Sequence, residues 1–168
     1  YAQSFEHSNM GIEYARKAGA TRVEAYCLRN LAVIYSEQRE FDRARQLYRE
    51  SRHLFESIDY RIGIAWTLHG VGEIEFEEGR LEQALEYFQR VLDAVTEQEF
   101  GMLYANARNG VARTLWRLGR LDEALSWIDQ AMHAPRQYAR IRAETLLIHA
   151  HIRAAAGEGS WWGAAFVA

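Results

Sequence analysis

The chain has 168 residues, a length that fits one domain or one short array of repeats. Hydrophobic residues make up 49% of the composition and there is one proline, which excludes a disordered chain and favours helix. The 20 basic and 23 acidic residues give a net charge of −3, which argues against a general binder of nucleic acid or anionic membranes.

The single cysteine, Cys27, excludes an intramolecular disulfide and a zinc site built from several cysteines. No apolar stretch approaches the roughly 20 residues that are needed to cross a bilayer, and no signal peptide begins the sequence. A cytoplasmic location is therefore expected, with no membrane binding and no direct contact with nucleic acid.

An internal repeat is the strongest pattern in the sequence. A phrase of one large apolar residue, one acidic residue, one polar residue and alanine occurs at residues 41–44, 81–84 and 121–124. Another small residue lies twelve positions before each alanine, and a large apolar or aromatic residue lies four positions after it. The period of 40 residues predicts an array of similar structural units.

Each unit is predicted to form two amphipathic helices, because its apolar residues recur at spacings of three and four. Gly79 and Gly119 stand where a helix C-terminus favours a left-handed residue, and Arg39 occupies this position in the first unit at some cost. Pro135 ends the third unit. In chain order, the predicted helices span residues 1–18, 22–38, 41–57, 62–78, 81–98, 102–118, 121–134 and 136–156.

The units are expected to form one solenoid over residues 1–168. Its segments are the second helix of a truncated repeat (1–18), three full repeats (25–60, 65–100 and 105–135), and a partial fourth repeat with a tail (136–168). Because the chain begins in mid-repeat without an initiator methionine, we expect it to be a piece of a longer protein. Trp161, Trp162 and Phe166 in the tail are expected to cap the array, to pack on another copy, or to stay loosely ordered.

The units resemble the tetratricopeptide repeat family. The first unit carries that family's pattern at Leu28, Leu31-Ala32, Tyr35, Ala44 and Tyr48. Glu75 and Arg108 depart from the apolar residues that the pattern expects. The resemblance implies an all-α fold, a right-handed α-α superhelix (solenoid) of helix hairpins, with about seven helices and a C-terminal tail.

The 40-residue period resembles arrays found in large bacterial signalling and transcription regulators, although similar units occur in eukaryotic scaffolds that bind peptides. Lys17 is the only lysine, so 19 of the 20 basic residues are arginine, a bias that favours a bacterial source. We therefore expect a fragment of a larger bacterial regulatory protein.

In such arrays the first helix of each unit lines a concave groove, which is where a peptide or protein partner is expected to bind. Trp, Tyr and Arg often dominate binding energy, and Asn side chains pair with an extended peptide backbone. The candidate groove residues are Tyr26, Arg29, Asn30, Trp66, His69, Glu73, Asn106, Asn109, Arg113, Trp116 and Arg117.

Each candidate also has a plain structural explanation. A solvated concave face carries polar residues in any case, and Trp66 and Trp116 are either groove anchors or packing contacts with an adjoining unit. Glu73 and the acidic residues after it are either a solvated face or an acidic end of the groove opposite Arg113 and Arg117. The second arrangement favours a peptide that carries both charges.

Chaperone-binding members of the family hold a terminal carboxylate with a clamp of Lys, Asn and Arg side chains. The corresponding positions here are Arg29, Val33, Gly70, Asn106 and Gly110. Because only Arg29 has suitable chemistry, binding of chaperone tails is not expected.

No catalytic motif is present, so the chain is not expected to be an enzyme or to need a cofactor. His149 and His151 are two residues apart and point about 200° apart on a helix, so they cannot hold one metal ion. Two functions remain open. The first is a scaffold that binds a peptide or protein segment, and the second is a regulatory sensor that binds a small molecule or self-associates as a homodimer through exposed solenoid ends.

Overall fold

The structure is a computed structural model that describes residues 2–132 and 139–157. These residues form eight α-helices and no strand, which confirms the all-α fold. The expectations for Pro135, Trp161, Trp162 and Phe166 lie outside the described residues. The helices are α1 (Ala2–Ala18), α2 (Thr21–Glu37), α3 (Phe41–Ser57), α4 (Arg61–Glu77), α5 (Leu81–Ala94), α6 (Glu97–Arg117), α7 (Leu121–Met132) and α8 (Ala139–Ala155).

Two neighbouring predicted boundaries are wrong. The predicted helix 81–98 ends at Ala94, and α6 begins at Glu97 rather than near residue 102. Thr96 caps α6, because its hydroxyl accepts a hydrogen bond from the backbone N–H of Glu99 at 3.3 Å and donates to that residue's carboxylate at 2.9 Å. Phe100 then interrupts α6 with non-helical backbone angles (φ −139°, ψ 55°).

The left-handed turns confirm the sequence prediction. Gly79 and Gly119 have φ values of 77° and 76°, and Arg39 takes the equivalent position at 64°. Asp59, which the sequence did not suggest, is also left-handed at φ 50°. The two non-glycine residues have the conformation that L-amino acids adopt at a cost.

The chain divides into two compact units, Tyr1–Val95 and Thr96–Ala168, and each is considered by itself. In unit 1, α2 packs on α1 and α3, and α4 packs on α3 and α5. The first helices α2 and α4 also contact each other, whereas the second helices α3 and α5 do not. In unit 2, α6, α7 and α8 all contact one another around a core that includes Leu115, Ile128 and Ile152. No helix in either described range combines the length and the apolarity that a membrane crossing needs.

Close packing of α3 on α4 depends on two glycines. A side chain at Gly63 would collide with the buried ring of Phe55, and a side chain at Gly70 would collide with the buried ring of Tyr48. The two rings and the two glycines are each seven residues apart, so the antiparallel helices meet in register over two turns.

Substitution of Gly70 by alanine should destabilise the protein, because the new methyl group overlaps the Tyr48 ring. We expect a loss of about 1–3 kcal/mol in the free energy of unfolding, measured by urea denaturation. Gly101→Ala is the matched control, since nothing lies within 4 Å of a methyl group there. The packing assignment is wrong if both variants are as stable as the parent protein.

Candidate partner-binding site

Arg29 on α2 is a half-buried cation that lies against an aromatic ring. Its guanidinium carbon lies 4.8 Å from the ring centroid of Trp66 on α4, and Nη1 donates to the Asn30 side chain at 3.2 Å. Its Nε is buried without a hydrogen-bond partner, and no carboxylate among the described residues pairs with it. Its burial, which partly removes the cation from water, lowers the pKa of Arg29.

Tyr48 brings a phenol from α3 into the same electrostatic environment. Burial raises its pKa to about 12, the charge of Arg29 acts in the opposite direction, and the carboxylates of Glu73 and Glu37 add to the rise. In the sequence, Tyr48 stands out only as a position of the repeat pattern. The Tyr48 ring packs against Gly70 of α4, which brings the phenol close to Arg29. Sequence periodicity does not predict such a contact between helices.

Trp66, His69 and Glu73 continue this surface along α4. The His69 ring meets Trp66 edge-on at 5.9 Å and Phe88 at 5.5 Å between centroids. Its Nε2 lies 3.6 Å from a carboxylate oxygen of Glu73. The structure therefore brings together Arg29, Trp66, His69 and Glu73, and Asn30 stands exposed beside them.

Tyr26 is part of a different cluster. Its hydroxyl lies 2.9 Å from the hydroxyl of Tyr60, and its ring meets Phe55 edge-on at 5.1 Å. Burial and the hydrogen bond with Tyr60 raise the pKa of Tyr26 to about 12. These contacts join α2 to α3 and to the start of α4, so they support a packing role for this residue.

In unit 2, two candidates contact α8. Asn109 is only 5% exposed, and its side-chain oxygen accepts a hydrogen bond from Thr145 at 3.0 Å. Trp116 stacks on His151 with ring centroids 5.5 Å apart and an angle of 12° between the planes. Both contacts support the packing explanation of these residues.

The remaining candidates also lie on α6, where Asn106 and Arg113 are half-buried and Arg117 is exposed. That they continue one groove with the residues of unit 1 stays a prediction. His149 and His151 face different neighbours, as their spacing predicts, since His149 Nε2 lies 3.0 Å from Asp129 whereas His151 stacks on Trp116.

Glu75, a departure from the repeat pattern, is buried in a network of ion pairs. Arg45 Nε donates to one carboxylate oxygen at 3.0 Å, and Arg80 pairs with the other. Arg45 also contacts Asp42 at 3.1 Å and pairs with Glu78. Two guanidinium groups thus compensate for a carboxylate at a position where the pattern expects an apolar residue.

Nothing in the described ranges groups three or more His, Cys, Asp or Glu side chains in a way that suits a metal ion. The geometry of unit 1 instead offers aromatic faces, a cation and carboxylates on neighbouring first helices. Such a surface suits recognition of another molecule by stacking and charge.

Comparison with models of protein families identifies the family of this chain. Two models described as tetratricopeptide repeat match residues 25–58 and 63–137. The chain belongs to the tetratricopeptide repeat family. A comparison with curated proteins gave no match. Tetratricopeptide repeats generally mediate protein–protein interaction, and the family is typically a non-enzymatic scaffold.

The raised pKa values of Tyr26 and Tyr48 predict a loss of stability at high pH. Both groups ionise near pH 10 in the unfolded chain and near pH 12 in the folded protein, so folding stability is fully present below pH 10 and falls between these values. Urea unfolding across this interval should show the decline, and Tyr48→Phe should reduce its slope. Stability that stays constant through the interval would contradict the assigned environments.

Proposed function

We propose that the face of unit 1 formed by Arg29, Trp66, His69 and Glu73 binds a segment of a partner protein that carries an acidic residue beside a basic or strongly polar one. The observation that carries this proposal is the half-buried Arg29, a cation that has no carboxylate partner among the described residues. A partner segment would supply that carboxylate. The proposal narrows the general role of the family, protein–protein interaction, to one surface and one kind of contact.

The energetics favour a carboxylate at this position. An arginine that has lost part of its hydration gains most from a charged acceptor, because its fork of N–H groups matches the two oxygens of a carboxylate. The guanidinium of Arg29 already lies over the Trp66 ring at 4.8 Å, which reduces the conformational entropy that binding would cost. Trp66 is only half-buried, so a side chain of the partner also gains part of the indole to pack on.

Glu73 and Glu37 add a condition on the partner. Both carboxylates act on Tyr48 beside Arg29, so the same surface carries positive and negative charge at short range. A segment with an acidic residue next to a basic or strongly polar one would complement both. A uniformly acidic segment would be repelled by the two glutamates.

The wider context extends this proposal. The resemblance of the 40-residue units to arrays of bacterial signalling and transcription regulators suggests that the chain is part of a larger regulatory protein. In that setting the array would act as the arm that recognises a protein or peptide signal.

A peptide-display selection followed by affinity measurement tests this function. The parent protein should enrich peptides that contain Asp or Glu beside a basic residue, and Arg29→Gln should bind the selected peptides at least about 30-fold more weakly. This loss is expected because the variant keeps the packing on Trp66 but removes the charge.

Arg22→Gln is the matched control, since Arg22 lies on the same helix and stacks on Tyr60 at 5.7 Å, away from Trp66. It should bind the selected peptides as the parent does. Enrichment of peptides without acidic residues, or equal loss in both variants, would refute the role of Arg29.

Self-association is a second candidate, and exposed apolar side chains on α1 favour it. Met10 is 52% exposed and Tyr14 is 66% exposed, and residues four apart lie on one face of a helix. An apolar face of this kind is typical of a contact surface. A second copy of the chain would remove it from water.

Sedimentation velocity at increasing protein concentration tests this second candidate. The parent protein should form a dimer that the double variant Met10→Gln/Tyr14→Gln no longer forms. A double variant with Met102 and Leu147 changed to glutamine is the control, since these are also exposed apolar residues. A parent protein that stays monomeric would exclude self-association.

A further inference from the structure

Unit 1 has a cleft between α3 and α5, the two second helices that do not contact each other. The cleft is partly open and has a volume of about 180 Å³, well above the roughly 15 Å³ that one water molecule needs on the same measure. Its floor is α4, with Leu68 and Val71 among the lining residues, and its wall on the α5 side is Tyr87. The space is therefore large enough to admit a small ligand.

The wall of the cleft on the α3 side carries three arginines. Arg45, Arg49 and Arg52 follow at spacings of four and three residues, so they lie on one face of the helix. Glu75 is the one carboxylate in the lining, but carboxylates outside the lining also pair with Arg45 and Arg52. Arg49 is the lining cation whose charge no described carboxylate offsets, and this charge favours an anion as the occupant.

The three arginines differ in the ion pairs that they already make within the protein. Arg45 is engaged by Asp42, Glu75 and Glu78, and Arg52 pairs with Glu56 at 3.2 Å on its own helix. Arg49 makes no ion pair or hydrogen bond with any of the described residues. Its guanidinium is therefore available to a ligand without the loss of an internal contact.

The cleft is distinct from the face that contains Arg29. On α4, the cleft is lined by Leu68, Val71 and Glu75, whereas the other face carries Trp66 and His69. At 100° per residue, these two sets point to nearly opposite sides of the helix. A ligand in the cleft and a segment on Trp66 would therefore not compete for the same atoms of α4.

We propose that this cleft is a second binding site, which takes a small anion bearing a phosphoryl group. A phosphoryl group carries close to two negative charges at neutral pH and three strong acceptor oxygens, which suit the unpaired charge of Arg49 and a second guanidinium, that of Arg52, one turn further along α3. A single carboxylate supplies one charge and two oxygens. The site uses Arg49 and Arg52 as the principal donors, and Arg45 keeps its existing ion pairs.

Titration of the full chain tests the site, with inorganic phosphate and glycerol 2-phosphate as the probes. Isothermal calorimetry should detect binding of at least one probe to the parent protein, and the Nε–H signal of Arg49 should shift in NMR spectra. The double variant Arg49→Gln/Arg52→Gln should bind at least about tenfold more weakly. Binding should also weaken below about pH 6, where the phosphoryl group takes up its second proton.

Arg43→Gln is the matched control, because Arg43 lies on the same helix but pairs with Glu40 and stacks on Tyr35. It should bind the probes as the parent does, and so should Arg29→Gln, which separates this site from the proposed protein-binding face. Circular dichroism checks that each variant is folded.

Binding of both probes supports the site for a phosphoryl group in either form. Binding of inorganic phosphate alone supports a site for free phosphate. Binding of glycerol 2-phosphate alone supports a site for a phosphorylated small molecule. The proposal is overturned if the parent protein binds neither probe, if Arg43→Gln weakens binding as much as the double variant, or if acetate and succinate bind as tightly as phosphate.

Discussion

The contact between aromatic rings of α3 and glycines of α4 is the constraint on which the rest of unit 1 depends. Because Gly63 and Gly70 have no side chains, Phe55 and Tyr48 lie directly against the backbone of α4. This contact fixes α4 at the centre of the unit. Tyr48 then lies beside both proposed sites, since the charge of Arg29 acts on its hydroxyl and its side chain lines the cleft between α3 and α5.

The fold was predictable because equivalent positions of the repeats can be aligned from the sequence alone. The four-residue phrase that recurs every 40 residues located the helix pairs, and the left-handed residues Arg39, Gly79 and Gly119 follow from the same period. The error between residues 95 and 101 has a local cause, because periodicity extends a helix through any compatible stretch. Thr96 and Glu99 form a helix-capping pair, which marks the start of a new helix at this point. This spacing of Thr and Glu is visible in the sequence and could have corrected the prediction.

The candidate site was predictable only as a set of positions on the first helices. Helical spacing places Arg29, Trp66 and His69 on neighbouring faces, but it does not say which side chain already has a partner. Asn109 is engaged by Thr145, 36 residues further along, and Tyr26 by Tyr60, 34 residues further along. Such pairings depend on the distance between helices, which no single-sequence pattern reports.

Glu75 shows how one departure from a repeat pattern changes the surface around it. An apolar side chain at this position would pack between the second helices, whereas a buried carboxylate must be compensated by cations. Arg45 comes from α3 and Arg80 from the turn before α5, so both neighbours of the cleft contribute to that compensation. The space between α3 and α5 is consequently lined by charge. The same substitution that weakens the family pattern thus accounts for the polar character of the cleft.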